Sequence, residues 1–201
     1  MRVKTHERRQ KILKVATEVF QELGYARASM SAISARIGGS KGTLYGYFKS
    51  KEELFIAAML GAMKEANEVE LVRYLDPEEP DIALALRRFG AAYLHFVTQP
   101  DFLSLRRTAI AEGDNSRLGV LFYDNGPKYG WEKIVTYLTA LRERGVIRPV
   151  DPHVAAQHLK ALFEAGIVEP LLFGAAPEFA RQNAVDAAVD IFLRAYGAPV
   201  A

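Results

Sequence analysis

Residues 29–51 read SMSAISARIGGSKGTLYGYFKSK, and this stretch decides the fold. Ser29 caps a short helix running to Ile37, Gly38 and Gly39 stop it, and Ser40 caps a second short helix to about Phe48. Helix, glycine turn, short helix is the layout of a helix-turn-helix, whose second helix enters a DNA major groove. The turn calls for a residue at positive φ, and Gly38 supplies it without a Cβ clash.

Helical phase sorts the second helix at 100° per residue. Leu44 and Phe48 lie one turn apart and point inward with Ile33 and Ile37. The opposite side presents Gly42, Thr43 and Gly46, where two glycines let the backbone come close to another surface. Tyr45 and Tyr47 flank that strip and can donate hydroxyls to phosphate. Lys41, Lys49 and Lys51 add charge, and Ser29 and Ser40 leave helix N-termini with unpaired N–H groups.

The rest of the chain reads as helix. Residues 5–24 carry Ile12, Ala16, Val19, Phe20 and Leu23 at helical spacing and end at Gly24. Ser50-Lys51-Glu52-Glu53 has the capping-box spacing and opens a helix to about Leu75. Further helices are expected over 81–99, 100–113, 116–144 with a break at Asn125-Gly126-Pro127, 151–173 and 178–196. That makes about nine helices and no strand: an all-α chain. The division falls inside the helix that starts at Ser50, giving a head of residues 1–51 and a body of residues 52–201.

Charge follows the same division. The 201 residues carry a net +2, yet residues 1–51 hold eleven Lys and Arg against Glu7, Glu18 and Glu22, a net +8. The remainder is net −6. A basic head on an acidic body suggests a polyanion partner for the head. The absence of cysteine excludes disulfides, thiol catalysis and cysteine-ligated metals. The charged N-terminus is no signal peptide, and the longest apolar stretch, 161–176, is broken by Glu164, Glu169 and Pro170. A cytoplasmic protein with no membrane association is expected.

Two rival chemistries fail on context. Gly38-Gly39-Ser40-Lys41-Gly42 fits G-x-S-x-G, but a nucleophile elbow follows a strand, and here a helix precedes Ser40. His153 and His158 sit roughly 140° apart on a helix and share no metal-binding face. His158 reads as a core or pocket-lining residue. No enzyme activity, metal or cofactor is expected.

The string Ile33-Ser34-x-x-Ile37-Gly38-x-Ser40-Lys41-Gly42-Thr43-Leu44-Tyr45-x-Tyr47-Phe48-x-Ser50-Lys51-Glu52-Glu53-Leu54 resembles the DNA-binding segment of the tetracycline-repressor (TetR) family of bacterial one-component regulators. The resemblance covers residues 9–55. It implies a three-helix DNA-binding head, a body holding a small-molecule effector, and a homodimer through a four-helix bundle of the last two helices. It also implies a repressor released from a palindromic operator on double-stranded DNA. Positions matching the family's DNA contacts are Ser29, Lys41, Thr43, Tyr45, Tyr47 and Lys51, with Gly42 and Gly46 facing the groove; Ser40 and Lys49 join them from the reading above.

Two departures stand out. The family usually has a small apolar residue where Gly39 stands, so a looser turn is expected. It often has a large side chain where Gly46 stands, so one candidate for reading bases is missing. The competing function is a ligand-binding or protein-interaction module on the same scaffold, with weakened DNA binding.

In the body, helical phase and residue type nominate Tyr93, Arg106, Tyr123, Trp131, His158 and Glu164 for a largely apolar or aromatic effector. The last two helices are rich in alanine, with Leu159, Leu162, Val185, Val189, Ile191 and Phe192 on more than one side. Such helices need more than one neighbour, which fits a dimer bundle.

Overall fold

Thr5 starts the first helix by accepting the Arg8 backbone N–H on its hydroxyl. The structure, a computed structural model, describes residues 5–198 without the side chains at 62 and 64–72. Arg2 and Lys4 of the basic head lie outside the described residues. The elements are α1 (His6–Arg27), α2 (Met30–Ile37), α3 (Lys41–Tyr47), α4 (Lys51–Val72), α5 (Ile82–Val97), α6 (Pro100–Ala111), α7 (Leu118–Tyr123), α8 (Tyr129–Glu143), α9 (Pro152–Glu164), α10 (Val168–Leu172) and α11 (Arg181–Tyr196). No strand occurs among the described residues; Ile147 and Gly197 form an isolated antiparallel bridge.

The expected breaks fall close to where turn chemistry puts them. Gly24 takes φ 73° and kinks α1 before its last residues. Asp124–Lys128, with Pro127, forms a wide π-type turn between α7 and α8. One expectation is corrected. The segment 151–173 is not a single helix but α9 and α10, because Gly166 adopts φ 66°. The Phe179 ring lies against it, where a Cβ would meet Cε2 at 2.4 Å, and Glu178 N–H donates to the Gly166 carbonyl at 2.8 Å.

The chain divides into two compact units, residues 1–65 with 105–126, and residues 66–104 with 127–201. In the first, α1 buries Ile12, Ala16, Val19 and Phe20 together with Ile33 and Ile37 of α2, Leu44 and Phe48, and Leu54 and Phe55 of α4. Phe55 takes the edges of Phe20 and Tyr25, with ring centroids 4.8 and 4.9 Å away. In the second unit, α11 packs on α5 and α9, and α8 packs on α9. Leu86, Leu94, Ile134, Leu138, Leu159, Phe163, Val189 and Phe192 form its core. Gly90 of α5 gives the Phe163 ring room. Arg87 ties α5 to α11 through Asp186 at 3.1 Å and Asp190 at 2.6 Å.

Candidate nucleic-acid interface

Capping hydroxyls build the helix-turn-helix. Ser29 accepts the Ala32 N–H at 3.1 Å, and Ser40 accepts the Thr43 N–H at the same distance. Gly38 closes α2 at φ 71°, ψ 38°, the left-handed region that a side chain would strain. Ser40 is preceded by α2 and spends its oxygen on Thr43, an arrangement without the strand a nucleophile elbow needs. At the start of α4, Ser50 accepts the Glu53 N–H at 3.2 Å, while the Glu53 carboxylate accepts from Lys49 N–H at 2.7 Å. The capping box therefore closes one residue earlier than its standard form.

Helical phase holds on α3. Leu44 and Phe48 are buried, while Lys41, Gly42, Tyr45, Gly46 and Lys49 are exposed and Thr43 and Tyr47 are half-buried. A Cβ on Gly46 would meet nothing within 4 Å, and one on Gly42 would meet only Ser40 Oγ at 3.8 Å. Neither glycine is demanded by packing inside the first unit. The strip is open, bare backbone flanked by Tyr45, which is 49 % exposed.

Lys51 is placed differently from the other lysines. Its ammonium donates to the Tyr25 carbonyl at 2.9 Å and the Ala28 carbonyl at 3.3 Å, and lies 4.0 Å from the Tyr25 ring centroid. It caps the end of α1. The Tyr47 hydroxyl accepts the Thr5 N–H at 3.2 Å.

The turn is better held than Gly39 suggests. Ser34, buried, donates its hydroxyl to the Gly39 carbonyl at 2.8 Å, and Gly39 N–H returns to the Ser34 carbonyl at 3.2 Å. Both polar groups of Gly39 are tied to one residue, which counters the freedom expected of a double glycine. The role of Ser34 at this turn was not visible in local spacing. The one hint was the missing side chain at 39.

Of the body candidates, Tyr93, Trp131 and Glu164 come together in the second unit. Tyr93 donates to the Glu164 carboxylate. Its ring stands edge-on to Trp131 with centroids 5.1 Å apart. Phe89 and Phe163 complete the cluster, and Lys160 lies 3.9 Å from Glu164. Arg106 and Tyr123 belong to the first unit. His158 is exposed and bonded to the Tyr196 hydroxyl. It is not a core residue, because its face of α9 looks outward along α11.

Comparison with known proteins follows the same outline. Residues 12–58 match bacterial regulatory proteins of the tetR family, and residues 84–198 match the C-terminal domain of AefR-like transcriptional repressors. The chain belongs to this family of helix-turn-helix transcriptional regulators. It is similar to a TetR-family regulator from Mesorhizobium loti, with a TM-score of 0.79 at 27 % identity over 96 % of this chain and 100 % of that one. It is also similar to the flavonoid-responsive regulator FrrA, with a TM-score of 0.78 at 28 % identity over 98 % and 100 %. Among sequences it is 28 % identical to the HTH-type regulator YerO of Bacillus subtilis over 59 % of this chain, spanning 41 % of YerO. No helix among the described residues is long and apolar enough to cross a membrane.

Proposed function

We propose that this regulator is a cytoplasmic, non-enzymatic homodimeric repressor whose residues 1–51 read a palindromic operator and whose residues 52–201 bind an effector and dimerise. The open Gly42–Gly46 strip of α3 carries the reading. It is exposed backbone that the fold does not need bare, flanked by Tyr45, Lys41 and Lys49. Ser29, Ser40, Thr43, Tyr47 and the remaining N–H of Lys51 complete the phosphate-facing set. Specificity then leans on Lys41, Thr43, Tyr47 and DNA shape, while the other contacts position the head without carrying sequence information.

The dimer reading rests on α9 and α11. Each buries one face against its own unit and keeps small and apolar residues exposed: Val154, Ala161 and Ala165 on or just beyond α9, beside His158, and Ala187, Ile191 and Ala195 on α11, beside Arg194. Two-fold symmetry of the protein then asks for two-fold symmetry of the operator. For the effector, the Tyr93–Trp131–Glu164 group supplies aromatic rings and one carboxylate. The flavonoid response stated for FrrA supports an aromatic ligand here. Release from DNA requires only that the ligand prefer the conformation in which the heads are mis-spaced.

The test is an anisotropy titration of the full chain on DNA taken from upstream of its own gene, against a scrambled duplex, over a salt series. A specificity ratio far above the non-specific level is expected, with Tyr45→Ala weakening both duplexes. Equal affinity for the two duplexes contradicts the operator reading.

A further inference from the structure

The first turn of α1 brackets α3. Thr5 N–H meets the Tyr47 hydroxyl at one end of the short helix, and the Arg9 guanidinium lies 5.3 Å from the Phe48 ring centroid. At the other end, Arg8 reaches over the turn. Its Nη2 stands 3.2 Å from where a Cβ of Gly39 would be, in space that a residue with a side chain would take. Gly39 has no positive φ, so its backbone does not require glycine. What the glycine provides is a close approach, since a Cβ there would push the guanidinium back by a few tenths of an ångström. Arg8, Ser34, Ser40 and Thr43 line a cleft of about 10 Å³ there, enough for one water or one phosphate oxygen. Among the described residues no hydrogen-bond or ion partner meets the Arg8 guanidinium, and the residue is half-buried.

We infer that Arg8 is a DNA-backbone contact of this chain, seated by the absence of a side chain at Gly39 and aimed at a phosphate beside the Ser40–Thr43 end of α3. The inference rests on the proposal that the head binds duplex DNA. A guanidinium fits this work because its planar fork bonds two phosphate oxygens at once and never deprotonates. Its stem lies along the core-facing side of α1, near Ile12, which limits the rotamers it must give up on binding. The departure at Gly39 thereby exchanges a turn side chain for a charge on the DNA face.

The test uses the full chain and a labelled duplex of random sequence, with affinity measured over a series of salt concentrations. Each phosphate contact contributes about 0.9 to the slope of log affinity against log salt. Arg8→Gln is expected to reduce the slope by about that amount per head and to weaken binding about tenfold at fixed salt. Arg8→Lys should keep most of the slope. Lys14→Gln, an exposed charge further along α1, is the control for overall charge. A slope for Arg8→Gln no lower than for Lys14→Gln overturns the assignment. Should Arg8→Gln not fold, Arg8→Met, which keeps an unbranched stem and drops the charge, takes its place; an unchanged slope there overturns the assignment equally. Failure of the unmodified chain to bind the duplex at any salt instead overturns the DNA-binding proposal itself.

Discussion

The Tyr25 hydroxyl donates to the Glu52 carboxylate at 3.1 Å, joining the end of α1 to the first turn of α4. Burial above all pushes the Tyr25 phenol up to about 12, opposed by a hydrogen bond with Ser116 and reinforced by the Glu52 charge. Burial also acts to raise Glu52, but its own backbone N–H, the Ser50 hydroxyl and Tyr25 outweigh it and leave the carboxyl below its usual value.

These shifts set opposite pH limits. The unfolded tyrosine ionises near 10 while the folded one keeps its proton to about 12, so its contribution is whole below 10 and is lost as pH rises between them. Glu52 is depressed, so its contribution is present above about 4.3 and is lost as pH falls through the folded value. Thermal melts of Tyr25→Phe are expected to show a shallower loss of stability from pH 10 to 12 than the parent chain. Parallel alkaline limbs would show that the pair does not govern that range.

Gly46→Ala separates folding from DNA binding. The new methyl meets nothing within 4 Å, and alanine favours helix by about 0.4–1 kcal/mol. Urea unfolding should move to higher midpoint while duplex affinity drops by about tenfold, a 1.4 kcal/mol penalty for holding the backbone off the DNA. Higher stability with unchanged affinity would place the groove-facing surface elsewhere.

Gly90→Ala should act in the opposite sense. Its Cβ would come 2.4 Å from Cε1 and 2.7 Å from Cζ of Phe163, a ring with no exposure. The ring has nowhere to go, so a loss of about 1–3 kcal/mol is expected in denaturant unfolding. No loss would mean that α5 and α9 separate more easily than their packing implies.

Tyr137 is a candidate for gain. Its hydroxyl is buried with no hydrogen-bond partner among the described residues. Burial, with the charges of Asp76 and Glu79, pushes the phenol up to about 12, against a lowering influence from Arg144. Tyr137→Phe removes an unsatisfied polar group and should raise stability by about 1 kcal/mol. A comparable destabilisation would reveal a bound water that the phenol serves.

The dimer proposal is tested at Ile191, which is 51 % exposed on α11. Ile191→Glu places a charge in the proposed interface and should halve the mass seen by light scattering at micromolar concentration. An unchanged dimer mass would move the interface off α11.

The helix-turn-helix was readable because its determinants are local: Ser29, Gly38, Ser40 and the Leu44–Phe48 phase each act within a turn of helix. The grouping of Glu164 and Trp131 about Tyr93 was within reach of residue type and phase, but the exposure of His158 was not. Periodicity does not say which side of α9 meets α11. The division at Gly166 was hidden because a glycine inside an apolar helical run is tolerated until something presses on it. Here that is Phe179, thirteen residues on. The seat of Arg8 was hidden for the same reason, since it joins residues 31 positions apart.

The paired bonds between Ser34 and Gly39 have a bearing on how this turn can vary. The Ser34 hydroxyl holds the turn through the backbone carbonyl of residue 39, a bond open to any side chain at that position. A lineage that regains bulk at 39 keeps both Ser34 bonds but presses on Arg8, whose Nη2 stands 3.2 Å from the Cβ position. One that loses the hydroxyl while keeping the glycine leaves the joint slack. The three positions are therefore expected to drift as a set, so that grafting this turn into another regulator calls for moving all three together.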